Sequence, residues 1–363
     1  MIKCPDGIMA EYGWGLSEEL IKKACTELNE IPEQRWRANM AVKEQMVTRP
    51  DITSVGTFIL LTGVSEKVVG FDLPAAADFL RQDDAFILRF LRARKFDTSE
   101  AFKLYASYFV YRQNNPNLFK DFKASESAIK EALYDGIPGV LEKSDHFGRR
   151  IIVLYSANWD NCRYGLSAIY RAILLTLEKL IDSEECQING FVIIVDWSQF
   201  TFKQSTWLNP KVLKLMIEGL QDCFPARFGA VHFVNQPWYI EAMFKMIKPF
   251  LKEKNRNKIH FHGINLGTLH NFIHKEVLPA ELGGTEPPYN NQYWAKELIG
   301  DESFSFSDKH IYWPDNCTTK TNGHTTLKTR SESFPLDHFT AVEEHATVDE
   351  IGTYLDEEFF LID

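Results

Sequence analysis

Six basic residues crowd one short span of the chain: Lys245, Lys248, Lys252, Lys254, Arg256 and Lys258 stand against a single Glu253. Just before and among them, Tyr239, Met243, Phe244, Met246, Ile247 and Phe250 recur at mostly helical spacing. An apolar face beside a cationic one suits an anionic lipid surface, to which each basic group near the membrane adds about 1 kcal/mol. A core helix with a solvated basic end reads the same way, because cations complement the C-terminal dipole. A second group, His260, His262, His270 and His274, includes the i, i+4 pair His270 and His274 that can chelate a metal. No glutamate stands between that pair as a zinc protease motif requires, and His260 and His262 alternate as strand residues do, so these histidines are read as structural. Asp196 closes an apolar run, where a carboxylate can do acid–base work with a nearby histidine or simply cap the turn. Nucleophile-elbow, dinucleotide and P-loop signatures are missing, so no enzyme, metal or cofactor is expected.

The elements that must position these residues come in two grammars. Ser17 before Glu18 and Glu19 is a helix start, with acids facing the positive end of the dipole. A second helix runs from Asp84 through Arg94, with Phe86, Phe90 and Leu91 on one side and arginines on the other. Asp97 and Glu100 have capping-box spacing ahead of a helix carrying Phe102, Tyr105, Tyr108 and Phe109. Residues 1–135 are thus read as a helical N-terminal domain. Beyond Gly136 and Gly139, short β-branched runs at 151–154, 191–195, 231–234 and 259–261 alternate with helical stretches at about 166–181, 210–222 and 237–248. That alternation predicts an α/β domain, 136–290, with a mainly parallel sheet. Pro249 should end the last of these helices near Lys248. Residues 291–363, rich in Ser, Thr, Asp and His toward the end, are read as a largely disordered acidic tail.

Composition bounds the function. The chain has 363 residues, 45% hydrophobic and 25% charged, which is ordinary globular usage and material for a core. Its 27 Phe and 8 Trp suit wide apolar pockets as well as ligand-free aromatic cores. Net charge is −10, which argues against nucleic acid as a partner. Eight of the acids lie after Ala341 with no Lys or Arg among them, so the body is nearly neutral and can carry a basic face. The absence of a long apolar span or a signal-like N-terminus predicts a soluble, unsecreted protein. Six dispersed cysteines, with no C-x-x-C pair, fit a reducing cytosol.

Eight blocks in order then form a pattern: FILRFLRARKF at 86–96, DHFGR at 145–149, NGF at 189–191, Asp196, FP at 224–225, HFVN at 232–235, KPFL at 248–251 and LPAELGG at 278–284. This order resembles the CRAL-TRIO lipid-binding family across residues 80–290 and again over 16–52. The resemblance implies a helical CRAL-TRIO N-terminal domain followed by an α/β domain that encloses one hydrophobic lipid. It implies a mobile gate helix over residues 236–250, with Trp238, Met243, Ile247 and Phe250. It places the pocket at Tyr170, Ile173, Leu177, Val195, Phe200, Met216, Leu220 and Val231, and a phosphoinositide-binding cleft at Arg94, Arg227, Lys254 and Lys258. Arginines can grip phosphate in bidentate fashion, whereas the lysines act as point charges. Some members carry serines on the first pocket helix where this chain has Ile173 and Leu177, so the wall is expected to recognise shape and hydrocarbon rather than hydroxyls.

The function this implies is non-enzymatic, phosphoinositide-dependent lipid binding and transfer in endosomal and lysosomal membrane traffic, with phosphatidylinositol 3,5-bisphosphate as the expected head group. The expected location is cytoplasmic, peripheral on endosomes, the trans-Golgi network and clathrin-coated vesicles. The alternative is a trafficking scaffold with a vestigial pocket that binds clathrin or adaptors. For that role Leu180-Ile181-Asp182 and LDEEF at 355–359 loosely resemble acidic–hydrophobic motifs. The chain departs from the family pattern at residues 53–78, an atypical insertion. It reads either as an alternative exon or gene-model error, or as a membrane-contacting loop.

Overall fold

A computed structural model describes residues 16–48 and 81–300. The N-terminal part is helical, as its caps predict. Helix α1, Glu18–Leu28, is capped by Ser17, whose hydroxyl accepts from the Leu20 N–H at 3.3 Å, and it ends at Asn29 in the left-handed region. Helix α2, Arg35–Thr48, follows after a short turn. Helix α3, Asp84–Ala93, is capped by Asp83. Helix α4, Thr98–Asn114, is capped by Asp97, which accepts from the N–H groups of Ser99 and Glu100. The expected reciprocal half of that capping box is not made: the Asp97 N–H donates to the Arg94 carbonyl, and Glu100 pairs with Lys103 at 2.6 Å.

Helix α3 also departs from the amphipathic reading. Its arginines do not face water: Arg89 and Arg92 are as buried as Phe86 and Phe90. Arg92 donates to Glu30, Gln187 and Glu184, and Arg89 to Glu178 and Asp182. Buried guanidinium groups need such partners, since an unpaired charge there is costly. These bonds tie α3 to Glu178 on helix α6, Leu166–Ile181, and to Gln187 and Glu184 on helix α7, Glu184–Asn189. Between the two parts lies helix α5, Ser127–Tyr134.

The second part is built on a five-stranded sheet in sequential order. Strand β1, Gly139–Val140, runs antiparallel to β2, Arg150–Tyr155. Strands β3, Phe191–Asp196, β4, Phe228–Val234, and β5, Ile259–Phe261, continue in parallel. Strand β1, only two residues long, has no period to betray it in the sequence. The apolar runs are nearly continuous because both faces are covered. Ile151, Val153, Val192, Ile194 and Val234 pack under Leu269, Ile273, Leu278 and Leu282 on one side. Ile152, Phe191 and Val195 face the large core shared with α3 to α6 on the other. That core also receives helix α8, Pro210–Glu218, which runs on into a π-helical turn at Gly219–Cys223, and helix α9, Trp238–Ile247. Lys248–Phe250 form a 3-10 turn where Pro249 was expected to end the helix.

The boundary placed at residue 291 needs correction. Residues Asn291–Gly300 form a helix, α10, whose Trp294 is buried and donates from Nε1 to the Thr176 hydroxyl on α6 at 2.9 Å. The apolar pattern Trp294, Ala295, Leu298 was present but too short to stand out from the polar tail behind it. Residues 53–78 and 301–363, with the insertion, the acidic tail and the 355–359 motif, lie outside the described residues.

Candidate lipid pocket and basic cleft

The eight pocket residues expected from the resemblance all lie in the large apolar core, which also takes in the N-terminal helices. Helix α6 supplies Tyr170, Ile173 and Leu177, and β3 with its following loop supplies Val195 and Phe200, all buried. Met216, Leu220 and Val231 pack against them half-buried. The wall is not wholly apolar. The Tyr111 hydroxyl donates to the Leu215 carbonyl at 2.9 Å, which leaves the Tyr170 hydroxyl to donate to Tyr111 at 3.0 Å. Burial pushes the pKa of both phenols up, so both stay neutral. A Cβ on Gly219 would collide with both hydroxyls, so glycine is what allows the π-helical turn to sit against them.

Helix α9 closes one side. It is apolar at every position but Glu241 and Lys245, yet only Ile240 is buried. Of the four expected gate residues, Met243 packs on the core cluster, together with Tyr239, whose hydroxyl donates to the Phe200 carbonyl. Trp238 is 68% exposed, stacked on Phe202, and Phe250 is also exposed, with the Lys214 ammonium over its ring at 5.2 Å. Ile247 is half-buried at the C-terminal end. Tyr239 and Ile240, the latter the most enclosed residue of α9, were not singled out as gate residues, since spacing alone does not say which side of a helix meets the core.

The basic residues gather at the opposite end of β4. Lys258 donates from Nζ to the Phe228 carbonyl at 2.5 Å, and its pKa is lowered by burial first and then by Lys254, Arg227 and Arg149. Arg227 donates to the Ile188 carbonyl and to Glu27 on α1 at 3.1 Å. Lys254 is exposed. Arg149 pairs with Asp145 at 2.6 Å and lies against Gly229, where any side chain would displace it. Lys23, held by the Phe147 carbonyl and Asn189, faces the same group, its pKa lowered chiefly by burial. The structure therefore joins Arg227, Lys254 and Lys258 and adds Arg149 and Lys23. Arg149 stood in a quoted block without a role, and Lys23 had no local signal. Arg94 stands apart: its pKa is lowered by burial, and its charged neighbours are Glu100 and Asp222, the latter paired with Lys252.

The other candidates resolve as structural groups. The Asp196 carboxylate accepts from the Ser198 N–H and hydroxyl and from Asn235, at 2.9, 2.7 and 2.9 Å, and so staples two loops. His232 and His262 share a hydrogen bond of 2.9 Å, and His262 bonds Thr268. His270 bonds the Leu282 carbonyl, while His274 stacks on His146, so this pair does not converge. Among the described residues no cluster of three or more His, Cys, Asp or Glu could hold a metal, and no helix is long and apolar enough to cross a membrane. The motif at 180–182 is not available to a partner: Leu180 and Ile181 are buried on α6, and Asp182 pairs with Arg89.

A helical domain before a mostly parallel sheet, with an apolar cluster under a thinly buried helix, defines the class of protein, and family comparison gives the same answer. The CRAL/TRIO domain model matches residues 134–284, and the CRAL/TRIO N-terminal domain model matches 64–107, beginning inside the segment read as an insertion. The chain belongs to the CRAL-TRIO lipid-binding family. It is similar to clavesin-1 of Pongo abelii, 49% identical over 344 residues that cover 95% of this chain and 88% of the relative. It is also similar to clavesin-2 of Homo sapiens, 53% identical over 297 residues, 82% of this chain and 83% of that one. Among solved structures, the crystal structure of Sfh5 aligns with a TM-score of 0.38 at 13% identity, covering 75% of this chain and 100% of its own, a likeness that carries no argument.

Proposed function

We propose that this chain is a non-enzymatic lipid-binding and transfer protein that docks on phosphoinositide-bearing membranes of the endosomal and trans-Golgi system, including clathrin-coated vesicles. The observation that carries the reading is α9, an almost wholly apolar helix with one buried residue, in a domain that also concentrates Arg227, Lys254, Lys258 and Arg149. Apolar surface left half in water gains about 25 cal/mol per Å² when covered, and a bilayer interface offers that cover. Head-group phosphates would meet an arginine capable of bidentate contact and two lysines. Membrane binding can open the gate only if the open form binds better, because a ligand shifts an equilibrium by its differential affinity alone. A 3,5-bisphosphate is the preferred head group in this reading.

Vesicle flotation tests it. Phosphatidylcholine vesicles doped with each phosphatidylinositol bisphosphate isomer are mixed with the full chain at low and physiological salt. Binding should favour the 3,5-isomer, weaken with salt, and fall about tenfold in Arg227→Ala or Lys258→Ala. Binding that ignores isomer, salt and both substitutions would refute the docking proposal.

A further inference from the structure

Three tryptophans are buried among the described residues, Trp159, Trp197 and Trp294. An enclosed indole N–H normally finds an acceptor. Trp159 donates to the Tyr164 carbonyl at 3.0 Å and Trp294 to the Thr176 hydroxyl at 2.9 Å. Trp197 is 9% exposed, and its Nε1 has no partner.

Its position gives that orphan donor a meaning. Trp197 follows the last residue of β3, and its ring packs edge-to-face on Phe200 at 4.9 Å and on Phe233 at 5.9 Å. Phe233 in turn meets Phe244 of α9. The indole thus sits in the same apolar cluster as Val195 and Phe200, beside the gate helix. The polar groups that adjoin it in the chain are already engaged. The Trp197 backbone N–H donates to the Val234 carbonyl, and the adjoining Asp196 carboxylate is occupied by Ser198 and Asn235. The core phenols Tyr111, Tyr170 and Tyr239 donate to other acceptors, so among these groups the Trp197 N–H is the donor left over.

We infer that the Trp197 Nε1–H is the polar handle of the pocket, donating to an oxygen of the enclosed lipid, which is therefore a lipid bearing a neutral oxygen such as a carbonyl or ester rather than a plain hydrocarbon. The acceptor lies at the carboxyl end of β3, next to α9. A neutral acceptor is the match, because an ionised carboxylate among aromatic faces would lose its hydration without a cation to replace it. This inference rests on the lipid-pocket reading and deepens it by naming the ligand class.

The test uses the full chain stripped of lipid and two probes delivered from cyclodextrin, a long-chain methyl ketone and the alkane of equal length, each displacing a fluorescent fatty reporter. Wild type should prefer the ketone by about fivefold to tenfold, the value of one buried hydrogen bond. In Trp197→Phe the preference should vanish through loss of ketone affinity alone. The same result is expected with benzothienylalanine at position 197, which replaces the N–H by sulfur at nearly constant shape and guards against misfolding of the Phe variant. A preference that survives the sulfur isostere, or equal affinities in wild type, overturns the inference while leaving the lipid pocket standing. Failure of wild type to bind either probe overturns the pocket reading itself.

Discussion

Replacing Glu178 by Gln should cost about 3 kcal/mol of folding free energy, a value that follows from who surrounds the carboxylate. Glu178 lies on α6, fully enclosed, and accepts from the Tyr108 hydroxyl at 2.7 Å. It forms an ion pair with Arg112 and a longer one with Arg89 at 3.5 Å. Arg89 keeps a second carboxylate, Asp182, at 2.9 Å, so its charge stays compensated when Glu178 is neutralised. Arg112 does not: its remaining neighbours are the Tyr108 and Phe119 rings, at 3.6 and 4.6 Å from the guanidinium carbon. Stranding a buried charge costs about 3–5 kcal/mol, and because the Gln carbonyl can still accept from Arg112 the loss should fall at the lower end of that range. With a urea slope of about 3 kcal/mol per molar, the unfolding midpoint followed by circular dichroism should fall by about 1 M. Asp182→Asn serves as the comparison, since that carboxylate is 54% exposed and should contribute less than about 1 kcal/mol. A double change, Glu178→Leu with Arg112→Met, should recover much of the loss by removing both charges together. If Glu178→Gln moves the midpoint no further than Asp182→Asn, the view that this network fastens the N-terminal helices to α6 is refuted.

The stacked histidines predict a pH dependence. Burial, then His262, His260 and Arg149, lower the His232 pKa to about 3, and those of His260 and His262 are lowered too. Because the unfolded chain takes up the proton first, stability is full above about pH 6.5 and is lost as pH falls toward the folded value, by about 2 kcal/mol for His232 between pH 7 and 5. Urea midpoints across that range should decline with acid, and His232→Phe should flatten the decline; an equal slope in both proteins would exclude His232 as its source. Glu27 sits 3.1 Å from Arg227 as a built-in counter-ion for the cleft, with both side chains partly exposed. Glu27→Gln should therefore change stability by less than about 1 kcal/mol and raise affinity for phosphoinositide vesicles several-fold, and unchanged flotation would show that the pair does not compete with phosphate.

Much of this architecture was legible without coordinates, because local rules govern it. The caps at Ser17 and Asp97, the stop at Pro249 and the β-branched runs of β2 to β5 each state their element within a few residues. Ordered blocks carried the family, and the eight positions it implies for a pocket lie in the large core that also takes in the N-terminal helices. Where the reading fell short, partners distant in the chain decided the outcome. Arg89 and Arg92 looked like a solvent face until Glu178, Glu30 and Glu184, from three other segments, came to meet them. Strand β1 and helix α10 carry patterns too short to rise above their surroundings.

By itself, then, the order of residues determined the element types, the parallel α/β class and the family, since backbone propensity, capping and apolar period act over a few neighbours. Only the tertiary structure decided which charges are buried and paired, that Lys23 and Arg149 join Arg227 and Lys258 while Arg94 lies beside Asp222, and that Trp197 alone of the buried indoles among the described residues lacks a partner. Burial and electrostatics depend on what the rest of the chain brings within a few ångströms, and no spacing in the sequence encodes that distance.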